Sequence, residues 1–277
     1  MNADNSVLLA SVGLNCEAYK TASPTPGIVL MGGGTDVDAA FDWQIAHADG
    51  GDFVILRATV RMRCREISGV PKRSRHAIRA CLQGSDGYND YVWELSGGTL
   101  NSITSIVLTS AEGAEQDFVL AAANDADALF WAGGDQTLYV ERISGTSLAA
   151  AIIARQNAIT VGGTSAGCDW LSDFVFSPAT DAPSITSPAA LRNPYAYGIS
   201  FADSPYELEG FGRPKQGARS FLADTHFEQR DRMGRLLTFG ARLVQVGSEG
   251  WMRQLSMWAF KYLPPASLLL LAGRECE

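Results

Sequence analysis

Ser165 stands in GGTSAG, residues 162–167, directly after the apolar, β-branched run Ala158, Ile159, Thr160 and Val161. A buried strand that turns sharply into a helix with a serine on the turn is the pattern GxSxG, which exposes the hydroxyl for nucleophilic attack. Small residues are needed around it, because a Cβ there would clash with strand or helix or forbid the backbone angles of the turn. The helix that follows points free N–H groups at the position where negative charge develops on acyl transfer. A glycine-rich turn without chemistry has the same five-residue pattern, so the neighbours must decide.

A nucleophilic serine needs a base, and the chain offers three histidines, His47, His76 and His226. His226 ends the strand-like SFLADTHF, residues 220–227, after Asp224 and Thr225. It is followed by EQRDRMGRLLTFGARL, 228–243, whose spacing predicts a helix with Met233, Leu236, Leu237 and Leu243 as its apolar stripe. Arg230, Arg232 and Arg235 lie on or beside the first turns of that helix.

The elements that must bring these residues together alternate along the chain. GIVLM, 27–31, reads as a buried strand emptying into Gly32, Gly33 and Gly34, which allow close approach to a ligand or a loop. Asp36, Asp38 and Asp42 then suit a solvated helix start. DFVILRAT, 52–59, and SITSIVLTS, 102–110, are strands; 111–123 has helical spacing; ALFWAGGDQ, 128–136, runs from a strand into a second pair of glycines. Residues 137–157 read as helical with a break at Gly145. The alternation predicts an α/β fold, a doubly wound, mostly parallel sheet flanked by helices. Ligands bind such sheets outside the carboxyl ends of the strands, so Gly32 to Gly34, Gly133 to Gln136 and Ser165 are expected at one crevice.

Three stretches depart from this pattern. Residues 1–25 read as a poorly ordered leader, ahead of a single domain over 26–243. Within the domain, 60–83 carries Arg61, Arg63, Arg65, Lys72, Arg73, Arg75 and Arg79 against the lone acid Glu66. This insert reads as a basic surface loop or as sequence foreign to the coding frame, in preference to an anion-binding device. The tail 244–277 looks like a different sequence joined on, leaving a sheet edge incomplete.

With 277 residues, a net charge of −8 and no basic arm, the composition supports a globular protein and argues against a nucleic-acid partner. Five cysteines without a CxxC pair suggest neither a zinc site nor a disulfide framework but free thiols, hence a cytoplasmic location. No apolar run reaches the ~18 residues of a membrane span, and no metal or other cofactor is expected.

GGGTD (32–36), FWAGGDQ (130–136), GGTSAG (162–167) and DTHFEQRDRMGRL (224–236), in this order, resemble the cyanophycinase and peptidase E family of serine peptidases, nearer the cyanophycinase branch. The resemblance runs from about Pro26 to Leu243, outside the basic insert and part of the polar stretch before 220. It implies a three-layer sandwich like that of class I glutamine amidotransferases and flavodoxins. It implies Ser165 as nucleophile and His226 as base, with backbone N–H groups of Ala166 and of Gly134 and Asp135 as the oxyanion site. Gln136, Asp224, Thr225, Arg230, Arg232 and Arg235 match positions that line the family's substrate pocket. The implied substrate is a β-linked aspartyl-arginine polymer or a related aspartyl peptide, whose carboxylates suit arginines and whose guanidinium suits Asp224. The triad acid falls on Asp181, with Glu207 and Glu209 as fallbacks; Asp181 in TDAP equally reads as a solvated turn residue. A homodimer is compatible with this reading. Two rivals stay open: an esterase of the α/β-hydrolase type, which shares GxSxG and the order Ser165, Asp181, His226, and a non-catalytic member disrupted by the insert and tail.

Overall fold

The computed structural model describes residues 7–13, 22–58, 85–178, 184–203, 220–246, 255–259 and 268–272. The basic insert, Asp181, Glu207 and Glu209 lie outside them. A seven-stranded sheet is assembled from β1 (Val7–Gly13), β2 (Gly27–Met31), β3 (Asp52–Arg57), β4 (Ser102–Leu108), β5 (Ala128–Trp131), β6 (Thr160–Thr164) and β11 (Leu268–Ala272). Its order is β1-β4-β3-β5-β6-β2-β11. The five inner strands are parallel, while β1 pairs antiparallel with β4 and β11 antiparallel with β2.

Period-two alternation divides the inner strands between two cores. Val29, Met31, Phe53, Ile55 and Phe130 face α1 (Asp38–His47) and α2 (Ser85–Ser96), where Phe41, Tyr88 and Tyr91 pack on them. Ile28, Leu30, Val54, Leu56, Leu129, Trp131 and Val161 face α3 (Asp117–Asp125), α4 (Gln136–Ile143), α5 (Ser147–Arg155) and α6 (Ala166–Trp170). Both faces are covered, as a parallel sheet requires, and the expected α/β architecture is the one observed. Gly145, at φ 77°, separates α4 from α5, and the Thr146 side chain accepts from Ala149 N to cap the second helix.

Beyond α6 a third, smaller core gathers Phe176, Ala190, Ile199, Leu222, Leu236 and Phe239. Its elements are β7 (Phe174–Phe176) paired with β8 (Phe201–Asp203), α7 (Ser187–Arg192), β9 (Ser220–Asp224) and α8 (Met233–Val246).

The structure changes three expectations. Val7–Gly13, assigned above to a poorly ordered leader, is the edge strand β1; its apolar, partly β-branched sequence suits pairing on the open side of β4. The tail supplies two strands: β11 closes the sheet beside β2, and β10 (Leu255–Ala259) pairs parallel with β9. The helix expected over 228–243 begins only at Met233, because 227–231 form turns with Asp231 at φ 47°. Its inward stripe is Leu236 and Phe239, with Leu243 partly buried, whereas Met233 and Leu237 are 54% and 50% exposed.

Candidate active site

Strands β5, β6 and β2 are neighbours in the sheet, so their carboxyl ends open side by side. This brings Gly133, Ser165 and the Gly32 to Gly34 loop to one crevice. Ser165 sits between β6 and α6 at φ 52°, ψ −123°, a conformation that L-residues adopt only when the surroundings impose it. Packing imposes it here. A Cβ on Gly163 would stand 2.7 Å from the Gly167 carbonyl carbon, and one on Gly167 would run into the Trp131 carbonyl. The helix can therefore press directly against β5 and β6, and the turn between them has to be sharp.

The Ser165 Oγ lies 2.7 Å from His226 Nε2. Two successive carbonyls at the end of β2 hold the backbones of this pair: Ser165 N donates to Met31 O at 3.2 Å and His226 N to Gly32 O at 2.8 Å. His226, at φ 50°, is itself in the left-handed region. Burial, followed by the positive charges of Arg230 and Arg232, lowers the imidazole to about 4. The ring is therefore neutral near pH 7 and able to accept a proton from the hydroxyl. No carboxylate among the described residues bonds to the ring. Asp181, Glu207 and Glu209 lie outside those residues.

On the other side of the serine, a Cβ on Gly133 would stand 3.3 Å from Ser165 Cβ. Beyond it, Asp135 caps α4 by accepting from Thr137 N at 2.9 Å. Gln136 Nε2 donates to Phe176 O at 3.0 Å, tying this loop to β7. Underneath, Tyr139 donates to Ala132 O at 2.6 Å and holds the end of β5. Gly134 and Asp135 are exposed, and Ala166 is the buried first residue of α6. The N–H of Ala166 belongs to the first helical turn, where the helix itself supplies no acceptor.

The arginine series divides. Arg230 is exposed, beside His226. Arg232 and Arg235 are buried and turned onto Asp224: Arg232 Nη1 donates to Asp224 Oδ1 at 3.0 Å, and Arg235 Nε to Oδ2 at 2.8 Å. Arg235 also packs over the rings of Phe176 and Phe239. Asp224, expected to meet a substrate guanidinium, thus meets two from its own chain. Thr225 is also buried; its O accepts from Arg232 Nη1 at 2.6 Å. Asp224, Thr225, Arg232 and Arg235, expected to line a pocket, form a buried ionic network with one another, which gives each buried guanidinium the anion it requires.

A residue that the sequence reading passed over completes the network. Asp169, one turn after Ser165 on α6, accepts from Thr225 N at 3.1 Å and from Thr225 Oγ1 at 3.0 Å. Burial, then the nearby Asp224 carboxylate, raises its carboxyl above the usual range. The signal was present: an acid in the otherwise apolar CDWL of a short helix must find partners inside the protein. Among the described residues, no group of His, Cys, Asp and Glu side chains could hold a metal ion, and no helix is long and apolar enough to cross a membrane.

Fold and site together define an α/β protein with a serine on a strand-to-helix elbow and a histidine against it. A solved structure shares the architecture. A peptidase from an acI-B1 actinobacterium superposes with a TM-score of 0.51 at 13% identity, covering 86% of this chain and 81% of that one. A putative peptidase E from Listeria monocytogenes EGD-e gives a TM-score of 0.47 at 13% identity, covering 91% and 96%. No protein-family model and no curated protein matches the sequence. At 13% identity, the likeness to the actinobacterial peptidase is one of fold.

Proposed function

We propose that this chain is a serine-type exopeptidase or isopeptidase of the cyanophycinase-like kind, hydrolysing β-aspartyl-arginine or related aspartyl peptides through an acyl-enzyme on Ser165. The observation that carries this reading is the 2.7 Å contact between Ser165 Oγ and His226 Nε2, made by a serine at φ 52° on a strand-to-helix turn. With Nε2 as acceptor, the neutral ring takes the hydroxyl proton as Oγ attacks the scissile carbonyl. The carbonyl oxygen then becomes an anion, which the N–H of Ala166 and those of Gly134 and Asp135 are proposed to receive, at about 3 kcal/mol per donor. The imidazolium returns its proton to the departing amine. Water then attacks the acyl-serine, His226 accepting its proton and returning it to Ser165 Oγ as the ester bond breaks and the acid product leaves.

Asp181 is proposed as the acid behind His226, with Glu207 and Glu209 as alternatives; a carboxylate against the ring would raise the imidazole and stabilise its charged form. Arg230, exposed beside the dyad, is the guanidinium left for a substrate carboxylate once Arg232 and Arg235 are engaged by Asp224. Gln136 is proposed to line the same pocket through the amide oxygen not used in its bond to Phe176.

The test is incubation with β-aspartyl-arginine polymer, an α-aspartyl dipeptide and a nitrophenyl ester side by side, with Ser165→Ala as control. Release of amine from either aspartyl substrate, lost in the control, is expected. Turnover of the ester alone would replace this reading with an esterase.

A further inference from the structure

Two aspartates four residues apart in sequence fasten β9 to the segment that begins with Ser165. Asp173 Oδ2 accepts from Phe221 N at 2.7 Å near the start of β9, and the Asp173 N–H donates to Phe221 O at 3.1 Å. Asp169 holds Thr225 at the strand's other end, where Oδ1 takes the backbone N–H and Oδ2 takes the hydroxyl. Thr225 immediately precedes His226. Asp169 lies one helical turn from Ser165, and its own N–H donates to Ser165 O at 3.0 Å.

We infer that Asp169 is a positioning residue that sets the distance between the histidine and serine of the dyad by fixing Thr225, the residue next to His226, to the helix that starts at Ser165. The inference rests on the serine–histidine reading above and extends it to a side chain that touches neither reacting atom. β9 is outside the large sheet and pairs with β10 instead, so the sheet ladder does not set its register against β6. The carboxyl of Asp169 is the polar bridge between the elbow helix and the residue before His226. From the other side, Arg232 donates to Thr225 O. The charged groups around Asp169 are Asp224, Arg232 and Arg235, and all of them are buried. Each of the three polar groups of Thr225 therefore has a partner, and the strand end has little freedom to slide. A displacement of His226 by about 1 Å would cost on the order of 100-fold in a proton-transfer step.

The test compares wild type with Asp169→Ala, Asp169→Asn and Ile152→Ala. Asparagine can still accept from Thr225 N and can donate to Thr225 Oγ1. Ile152, buried in α5, controls for stability lost far from the site. One readout is the NMR titration of the His226 ring, resolved among three histidines by a His226→Ala reference. The other is the rate at which a fluorophosphonate labels Ser165. Asp169→Ala is expected to move the His226 titration up from about 4 toward the ordinary imidazole value and to slow labelling about 100-fold. Asp169→Asn and Ile152→Ala are expected to leave both readouts near wild type.

A folded Asp169→Ala protein with unchanged titration and labelling would overturn the inference. If Asp169→Ala does not fold, Thr225→Val decides: it removes the hydroxyl contact alone and should slow labelling about fivefold, and no change in either readout would overturn the inference. If wild type is never labelled while Asp169→Ala still shifts the His226 titration, the positioning stands and the peptidase reading falls.

Discussion

Gly33 lies so close to His226 that a Cβ built on it would stand 2.5 Å from the ring's Nε2, the atom that faces Ser165. The glycine is also at φ 83°, where an L-residue is strained. Gly33→Ala is therefore expected to displace the imidazole and to slow fluorophosphonate labelling of Ser165 about 100-fold, by misplacing the base. Circular dichroism should show the fold retained. Labelling at the wild-type rate would mean that the ring has room to move without loss of function.

His226 also predicts how the protein responds to pH. Burial and the neighbouring arginines lower it to about 4, below its ordinary value of 6.5, so the fold favours the neutral ring. Stability from this group is complete above about pH 6.5 and is lost as pH falls toward 4, since the unfolded chain takes up the proton first. Labelling of Ser165 should follow the neutral fraction, with its acid limb below the ordinary imidazole value of 6.5 and a plateau above. Arg230→Ala removes one of the charges that lower the ring, so it should move that limb to higher pH. A limb that stays in place in this variant would argue against the charge as a cause.

Much of the site is legible in sequence because its signals are local. Glycines at the ends of β2, β5 and β6 mark places where backbones approach closely, and a parallel sheet brings neighbouring strand ends together. What sequence does not yield is pairing across distance. Nothing near Val7 indicates that it will pair with Leu108, and nothing in LLLLA indicates β2 as its partner. The arginines after His226 look like a solvated or ligand-facing row until the turn at 227–231 is known, because it is that turn which aims Arg232 and Arg235 back at Asp224. The partner of Asp169 was hidden for a similar reason, since it lies 56 residues away.

The division of the arginines should appear as a division between stability and binding. Truncating one partner of a buried ion pair leaves the other charge uncompensated, so Arg235→Ala is expected to cost about 3–5 kcal/mol of stability, read by urea unfolding. Arg230→Ala changes an exposed side chain and should alter stability by no more than about 0.5 kcal/mol. It should instead weaken KM for an aspartyl substrate. The reverse assignment, with Arg230 supporting the fold and Arg235 dispensable to it, would contradict the ionic network.

The elbow itself makes the last prediction. Gly167 packs its Cα against the carbonyl of Trp131, and an added methyl would overlap that oxygen directly. The oxygen is backbone, in a strand paired on both sides, so it cannot swing away as a side chain would. Gly167→Ala must therefore lift α6 from β5. Overpacking of this kind costs about 1–3 kcal/mol, and the lifted helix carries Ser165 at its start and Asp169 one turn later. Gly145→Ala is the comparison, because it is strained in φ but has open space around its Cβ. Both variants should lower the unfolding midpoint, but only Gly167→Ala should also slow labelling of Ser165. Equal labelling rates in the two would show that the position of the helix does not set the reactivity of the serine.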